Sequence, residues 1–178
     1  MTDDDDSPKR KQRKYKRWQN DNNKDFRCGN CVQMVFAEAA IGTTQRNHCN
    51  HCLWSLHVDT KPGNRASDCH ARMEPVALTF KHDGNERLGD IMLVHSCKGC
   101  GEVNINRIAG DDSDFEIINV FERSLSLDKA AREMLSRKRI VPLQKEDREH
   151  LEIALYGAPQ RPSESAPLTR SPKTSPKR

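Results

Sequence analysis

Seven cysteines lie in this chain of 178 residues, and six of them stand as C-x-x-C pairs: Cys28/Cys31, Cys49/Cys52 and Cys97/Cys100. Cys69 stands alone. A C-x-x-C step makes a tight knuckle that turns two thiolates toward one point, and two knuckles complete a tetrahedron of sulphur about a metal ion. The first two pairs read C-x2-C-x17-C-x2-C, so Cys28, Cys31, Cys49 and Cys52 are expected to hold zinc. Gly29, Asn30 and Asn50 supply turn-forming residues inside these knuckles. A thioredoxin-like redox motif would want a helix straight after the cysteines, whereas β-forming residues follow here.

Cys69, Cys97 and Cys100 form a second set with one donor missing. Seven cysteines and one histidine make eight donors, enough for two tetrahedra. His70 adjoins Cys69, and neighbouring residues reach one ion only with strain. His95 lies on the strand entering the third knuckle. His57 comes from a separate segment and is the preferred fourth ligand, with His95 as the alternative. The plainer reading makes Cys69 a small buried apolar side chain. His48 and His51 are expected to play supporting or surface roles. Two zinc ions are therefore the expected cofactors.

The elements that must position these groups are short. "VQMVF", "WSLHV", "VALTF", "IMLVH" and "FEIINVF" read as strands, separated by Gly, Asn, Asp or Pro. Beyond Leu125 the period becomes helical. Leu127, Ala130, Ala131, Met134 and Leu135 mark one helix, with Asp128 near its start and Arg137, Lys138 and Arg139 near its end. Pro142 separates this helix from "KEDREHLEIALYG", a second one ending at Gly157. With 34% hydrophobic residues and 31% charged, little material is left for a large apolar core, and something besides apolar burial is expected to stabilise the fold. The fold class expected is a small metal-stabilised, β-rich, zinc-ribbon-like domain with two C-terminal helices. Its parts are a disordered acidic and basic tail over 1–24, the zinc domain over 25–125, a helical segment over 126–157 and a disordered basic tail over 158–178.

The string "RNHC" at 46–49, followed by "HCLWSLHVD", "PGNRASDC", "MEP" and "HSCKGCGEVNINRIAGDD", resembles the RNHCP family across roughly residues 26–115. The resemblance implies a zinc β-ribbon and bound zinc, and it carries no established function. Asn50 stands where that family has its defining proline, a change that loosens the knuckle without removing a ligand.

Arg46, Asn47, Arg65, Asn104, Asn106, Arg107, Asp111 and Asp112 cluster around the knuckles in sequence. Arginine and asparagine suit phosphates and base edges. The structural alternative is that they cap turns and pair with one another. A net charge of +4 is modest, but it is concentrated: Lys9, Arg10, Lys11, Arg13, Lys14, Lys16 and Arg17 form a basic run with Tyr15 and Trp18 among them. Such a run neutralises phosphates, and its aromatic faces stack unpaired bases. A localisation signal or a site for acidic proteins is the plainer reading of the run. The expected function is an RNA-binding protein of the ribosome or of translation, with Arg46, Asn47, Arg107 and the basic run as contacts. The N-terminus lacks the apolar core of a secretory signal, no apolar run approaches a membrane span, and a cytoplasmic location is expected. Neither a membrane nor a small-molecule substrate is expected as a partner. One alternative is a protein-interaction adaptor that docks through Met134, Leu135, Leu151 and Leu155. The other is a hydrolase of nucleic acid, with zinc or magnesium and Asp111 or Asp112 as general base.

Overall fold

The computed structural model describes residues 24–37, 45–61, 64–81 and 89–157. It is β-rich, with two sheets and, among the described residues, three α-helices. The smaller sheet pairs β1 (Phe26–Arg27) with β2 (Met34–Val35), antiparallel, Phe26 opposite Val35 and Arg27 opposite Met34. The larger holds β3 (Ser55–Leu56), β4 (Arg72–Phe80), β5 (Ile91–Cys97) and β6 (Val103–Arg107) in that order, all neighbours antiparallel.

β4 is the spine of this sheet. Its pairing with β5 shifts between Pro75 and Ala77, which leaves Val76 as an extra residue. Proline has no N–H for the ladder, so a bulge is where a central strand tolerates it. The extra residue also inverts the alternation, so Pro75 and Leu78 lie on one face. On that face Leu78, Phe80, Ile91 and Leu93 pack with Leu53, Ile117, Phe121, Leu143 and Leu151. On the other, Ala77, Val94 and Val103 pack with Leu135 and Ile140. The sheet is thus covered on both sides.

"FEIINVF", expected as a strand, is the heart of a helix: α1 spans Asp114–Ser124. Ser113 caps it, its side chain accepting from the Glu116 N–H, with Asp114 and Glu116 in the first turn. Ile117, Val120, Phe121 and Ser124 are buried at helical spacing, so the apolar face and the cap outweigh the β-propensity of Ile, Val and Phe. The described residues therefore carry three α-helices where two were expected. α2 (Lys129–Arg137) starts at Asp128, whose side chain accepts from Ala131 N–H. A short 3-10 turn (Lys145–Asp147) leads into α3 (Arg148–Tyr156), which ends at Gly157 in the left-handed region.

The helical segment is tied to the sheet by more than packing. Leu143 N–H donates to the Leu78 carbonyl at 2.8 Å, and Thr79 Oγ1 donates to the Val141 carbonyl at 2.7 Å. The 141–143 segment thereby satisfies part of the edge of β4 that short β3 leaves open. Leu135 and Leu151 are buried and Met134 and Leu155 pack on the same clusters, so these four residues serve the core. No helix among the described residues is long and apolar enough to cross a membrane.

Candidate metal centres

Three knuckles share one hydrogen-bond scheme. In each, the residue after the second cysteine returns its N–H to the carbonyl of the first: Val32 to Cys28 at 3.1 Å, Leu53 to Cys49 at 2.8 Å and Gly101 to Cys97 at 3.0 Å. The first cysteine's own N–H goes to the carbonyl two residues past the second: Cys28 to Gln33, Cys49 to Trp54 and Cys97 to Glu102. A further amide points at each leading sulphur, from Asn30, His51 and Gly99 at 3.3, 3.4 and 3.4 Å. Closing this loop puts Val32, Leu53 and Gly101 at φ of 64, 61 and 74.

The first two knuckles face each other. Sulphurs of Cys28 and Cys52, and of Cys31 and Cys49, stand 3.6 Å apart, and the four thiols form one group within 4.8 Å. That is far beyond a disulfide and close to the edge of a sulphur tetrahedron, about 3.8 Å for metal–sulphur bonds near 2.3 Å. Burial pushes the Cys49 thiol up strongly and the Cys52 thiol to about 11, against the pull of backbone N–H groups. Four thiolates this close need a cation to coexist, and a metal ion is a cation this set could hold.

The second group joins the third knuckle to two residues from elsewhere. Sulphurs of Cys69 and Cys97 are 3.6 Å apart, His57 Nδ1 lies 3.2 Å from Cys100 Sγ, and all four donors fall within 4.8 Å of one another. His57 is set by its N–H to the Ala71 carbonyl and by its carbonyl, which accepts from His70 N–H. Gly99 leaves room for the approach: a Cβ there would meet the Ala71 methyl at 2.6 Å and the Cys69 sulphur at 3.3 Å. Burial pushes the Cys97 thiol up, but the amides of Cys100 and Gly99 outweigh it and bring it to about 6. Both sets of four donors are suited to holding a metal ion.

His95, the alternative fourth ligand, points elsewhere. It is wholly buried, its Nε2 lies 2.6 Å from the Leu53 carbonyl and its Nδ1 3.0 Å from Asn106 Nδ2. Burial drives its pKa down to about 3, so the ring is neutral, and the carbonyl fixes the proton on Nε2. His51 and His70 are exposed, while His48 is buried with its Nε2 2.7 Å from Asp112 Oδ2.

Arg46 differs from expectation. Its side chain is fully buried, one guanidinium nitrogen bonds Asp111, and the other lies 3.2 Å from Asp112 Oδ1. Asp112 Oδ2 also accepts from Ala109 N–H at 2.8 Å. Two carboxylates on the turn before α1 thus draw this cation inward, and the residue expected to face RNA instead joins the loop before Cys49 to that turn. The same bonds occupy both oxygens of Asp112, which removes it as a free general base. Asn47 is half-buried, and Arg107 is exposed with an ion pair to Asp90 at 3.1 Å. Lys9, Arg10, Lys11, Arg13, Lys14, Tyr15, Lys16, Arg17 and Trp18 lie outside the described residues.

No curated protein and no solved structure matches the chain. The profile of the RNHCP domain matches residues 23–118, a span that takes in both cysteine groups, Arg46 and its paired aspartates. The chain belongs to the RNHCP domain family.

Proposed function

We propose that this chain is a zinc-stabilised RNA-binding protein that works on the ribosome or in translation. Thiolate-rich sets with four protein donors and tetrahedral spacing suit zinc in a structural role, because no coordination position is left for water. Paired knuckles carried on hairpins support a zinc-ribbon-like description of the cysteine-bearing part.

The observation that carries the RNA reading is the outer face of the small sheet. Val35 faces the first cysteine group, with Phe26 packed beside it. The opposite face therefore presents Arg27, Met34 and Phe36, and Phe36 is 59% exposed. Val32, 57% exposed, adjoins Arg27, and Arg72 reaches the Gly29 turn of the first knuckle with its guanidinium 5.9 Å over the Trp54 ring. Cations interleaved with exposed aromatic and apolar side chains are what an unpaired strand of RNA uses, phosphates on the cations and bases on the rings. In sequence, the basic run of residues 9–18 leads directly into this face. Neutralising its phosphates makes binding strongly salt-dependent.

A second reading, a protein docked on α3, has the exposed Ile153 and Tyr156 in its favour. Ultraviolet crosslinking of the protein in its own cells, with sequencing of the attached nucleic acid, separates the two. Crosslinks concentrated at one ribosomal RNA position support the proposal and locate the contact. Crosslinks scattered over many RNAs reduce it to unspecific binding by the basic run, and recovery of no nucleic acid moves the weight to the docked protein.

A further inference from the structure

A cleft of about 330 Å³ opens where the edge strand β6 meets the loop after His57; Asn47, Asp59, Lys61, Asn104 and Asn106 line it. That volume lies at the small end of ligand sites. Asn104 and Asn106 stand two positions apart on one strand and so share a face of the sheet.

The orientation of both carboxamides follows from their inner partners. The Leu53 carbonyl only accepts, so the proton of His95 sits on Nε2 beside it, and Asn106 places Nδ2 3.0 Å from His95 Nδ1. Asn104 Nδ2 lies 3.8 Å from the Met73 sulphur, and a thioether only accepts. Each amide therefore keeps its nitrogen inward and its oxygen free for the cleft. The Asn47 amide oxygen is buried without a hydrogen-bond partner. Of the charged groups, Glu102 on the rim pairs with Lys138 at 2.6 Å, and the Asp59 carboxylate accepts from Arg65 N–H at 2.7 Å through Oδ1. The cleft thus offers amide oxygens beside the Asp59 carboxylate, with one exposed cation, Lys61, at the mouth.

We propose that this cleft takes the amino-bearing edge of an unpaired nucleobase, guanine in preference to the others, with Lys61 toward the phosphate. The proposal rests on the RNA-binding reading and adds a base preference to it. Guanine offers two adjacent donors, its ring N–H and its amino group. Adenine and cytosine offer an amino group beside a ring acceptor, and uracil sets its single N–H between two carbonyls that would face the amide oxygens. A lysine or arginine side chain is the poorer fit, because Lys61 at the mouth would repel it.

The test is a fluorescence titration of the zinc-loaded full chain with short uridine tracts carrying one central guanosine, adenosine or cytidine. The guanosine tract is expected to bind about tenfold more tightly than the all-uridine tract, the size of a good base-edge contact, with the other two between. Asn104→Ala should narrow the preference, and adding Asn106→Ala should erase it. Metal content and melting temperature report whether these variants are folded, and the wild-type comparison stands without them. Equal affinity for all four tracts overturns the cleft assignment and leaves the RNA reading intact. No binding of any tract overturns both. An arginine peptide that binds instead, and weakens with Asn104→Ala, reassigns the cleft to a cationic protein segment and overturns the proposal.

Discussion

The two cysteine groups share a knuckle but not a setting. Among the described residues, the cluster around Cys28, Cys31, Cys49 and Cys52 adds one fully buried apolar side chain, Val35, with Phe26 partly buried against it, and the supporting strands are two residues each. Around His57, Cys69, Cys97 and Cys100 stands a sheet whose longest strand has nine residues and whose two faces are both packed. An isolated hairpin of that small size is not stable in water. In the first unit a bound metal would take the place of a core; in the second it would tie off the end of a structure that has one. The second group is also the more open, since Cys100 is exposed.

Cys49→Ser tests this contrast most severely. Structural zinc supplies about 10 kcal/mol of folding free energy in small zinc-finger peptides, far more than this hairpin can replace. The variant should lose one metal equivalent, and amide exchange of β1 and β2 should become unprotected. Retained protection there would break the comparison, because it would mean the hairpin stands without its ion.

Asp112→Ala comes next. It takes one carboxylate from the buried Arg46 guanidinium and the partner from His48. Removing one member of a buried ion pair costs about 3–5 kcal/mol, which denaturant titration will read as a shifted midpoint. Because this network fastens the loop entering the second knuckle to the turn before α1, the loss should also loosen the first metal. A cost below about 1 kcal/mol would mean that Arg46 reaches water in the variant.

Cys100→Ser should be milder. Its metal binds more weakly or is lost, while exchange protection of the β4–β5 ladder persists and the melting temperature falls less than in Cys49→Ser. Collapse of that ladder would show that the larger sheet also depends on its ion.

Acid probes the bridge between the two regions, the His95 ring held on the Leu53 carbonyl. Its folded pKa of about 3 lies below the ordinary 6.5, so below 6.5 the unfolded chain binds a proton that the folded chain refuses. Its contribution is full above 6.5 and is lost as the pH falls toward 3, amounting to about 2 kcal/mol near pH 5. His95→Gln, which does not titrate, should flatten that limb of the stability curve, while proton competition at the thiolates remains common to both proteins. An unchanged slope would assign the whole acid limb to the metal centres.

What the sequence discloses follows the same division. The knuckles are legible because cysteine spacing is local, and β4, β5, α2 and α3 because their patterns are long. α1 was hidden by its Ile, Val and Phe, although Ser113 with Glu116 is a capping pattern and Ile117, Val120, Phe121 and Ser124 keep helical spacing. β6 carries two asparagines, residues depleted from strands, and its pairing with β5 makes it a strand. The Arg46–Asp112 pair spans 66 positions, and no local rule reveals such a contact. His57 and His95 are alternatives in the sequence for a similar reason. Both precede a cysteine of the set, and what distinguishes them is a carbonyl at Leu53, far away in sequence, that takes the imidazole of His95.

The smallest effect sharpens the comparison at a single atom. The three knuckles demand the same left-handed residue after their second cysteine, and only the third supplies glycine there, at Gly101. Leu53 is held by the core, so its strain is offset by burial. Val32 is β-branched, 57% exposed and at φ of 64, a conformation that costs an L-residue about 1–2 kcal/mol. Val32→Gly should therefore raise stability by up to about 1 kcal/mol, less the extra entropy that glycine loses on folding. Gly101→Val meets no side chain but incurs the same backbone cost and should destabilise by a similar amount. Thermal melts of the two variants with metal bound give both signs. A destabilising Val32→Gly would show that the exposed isopropyl group is held in a contact worth more than its strain, and would make the face of Arg27, Met34 and Phe36 an interface that closes on the knuckle itself.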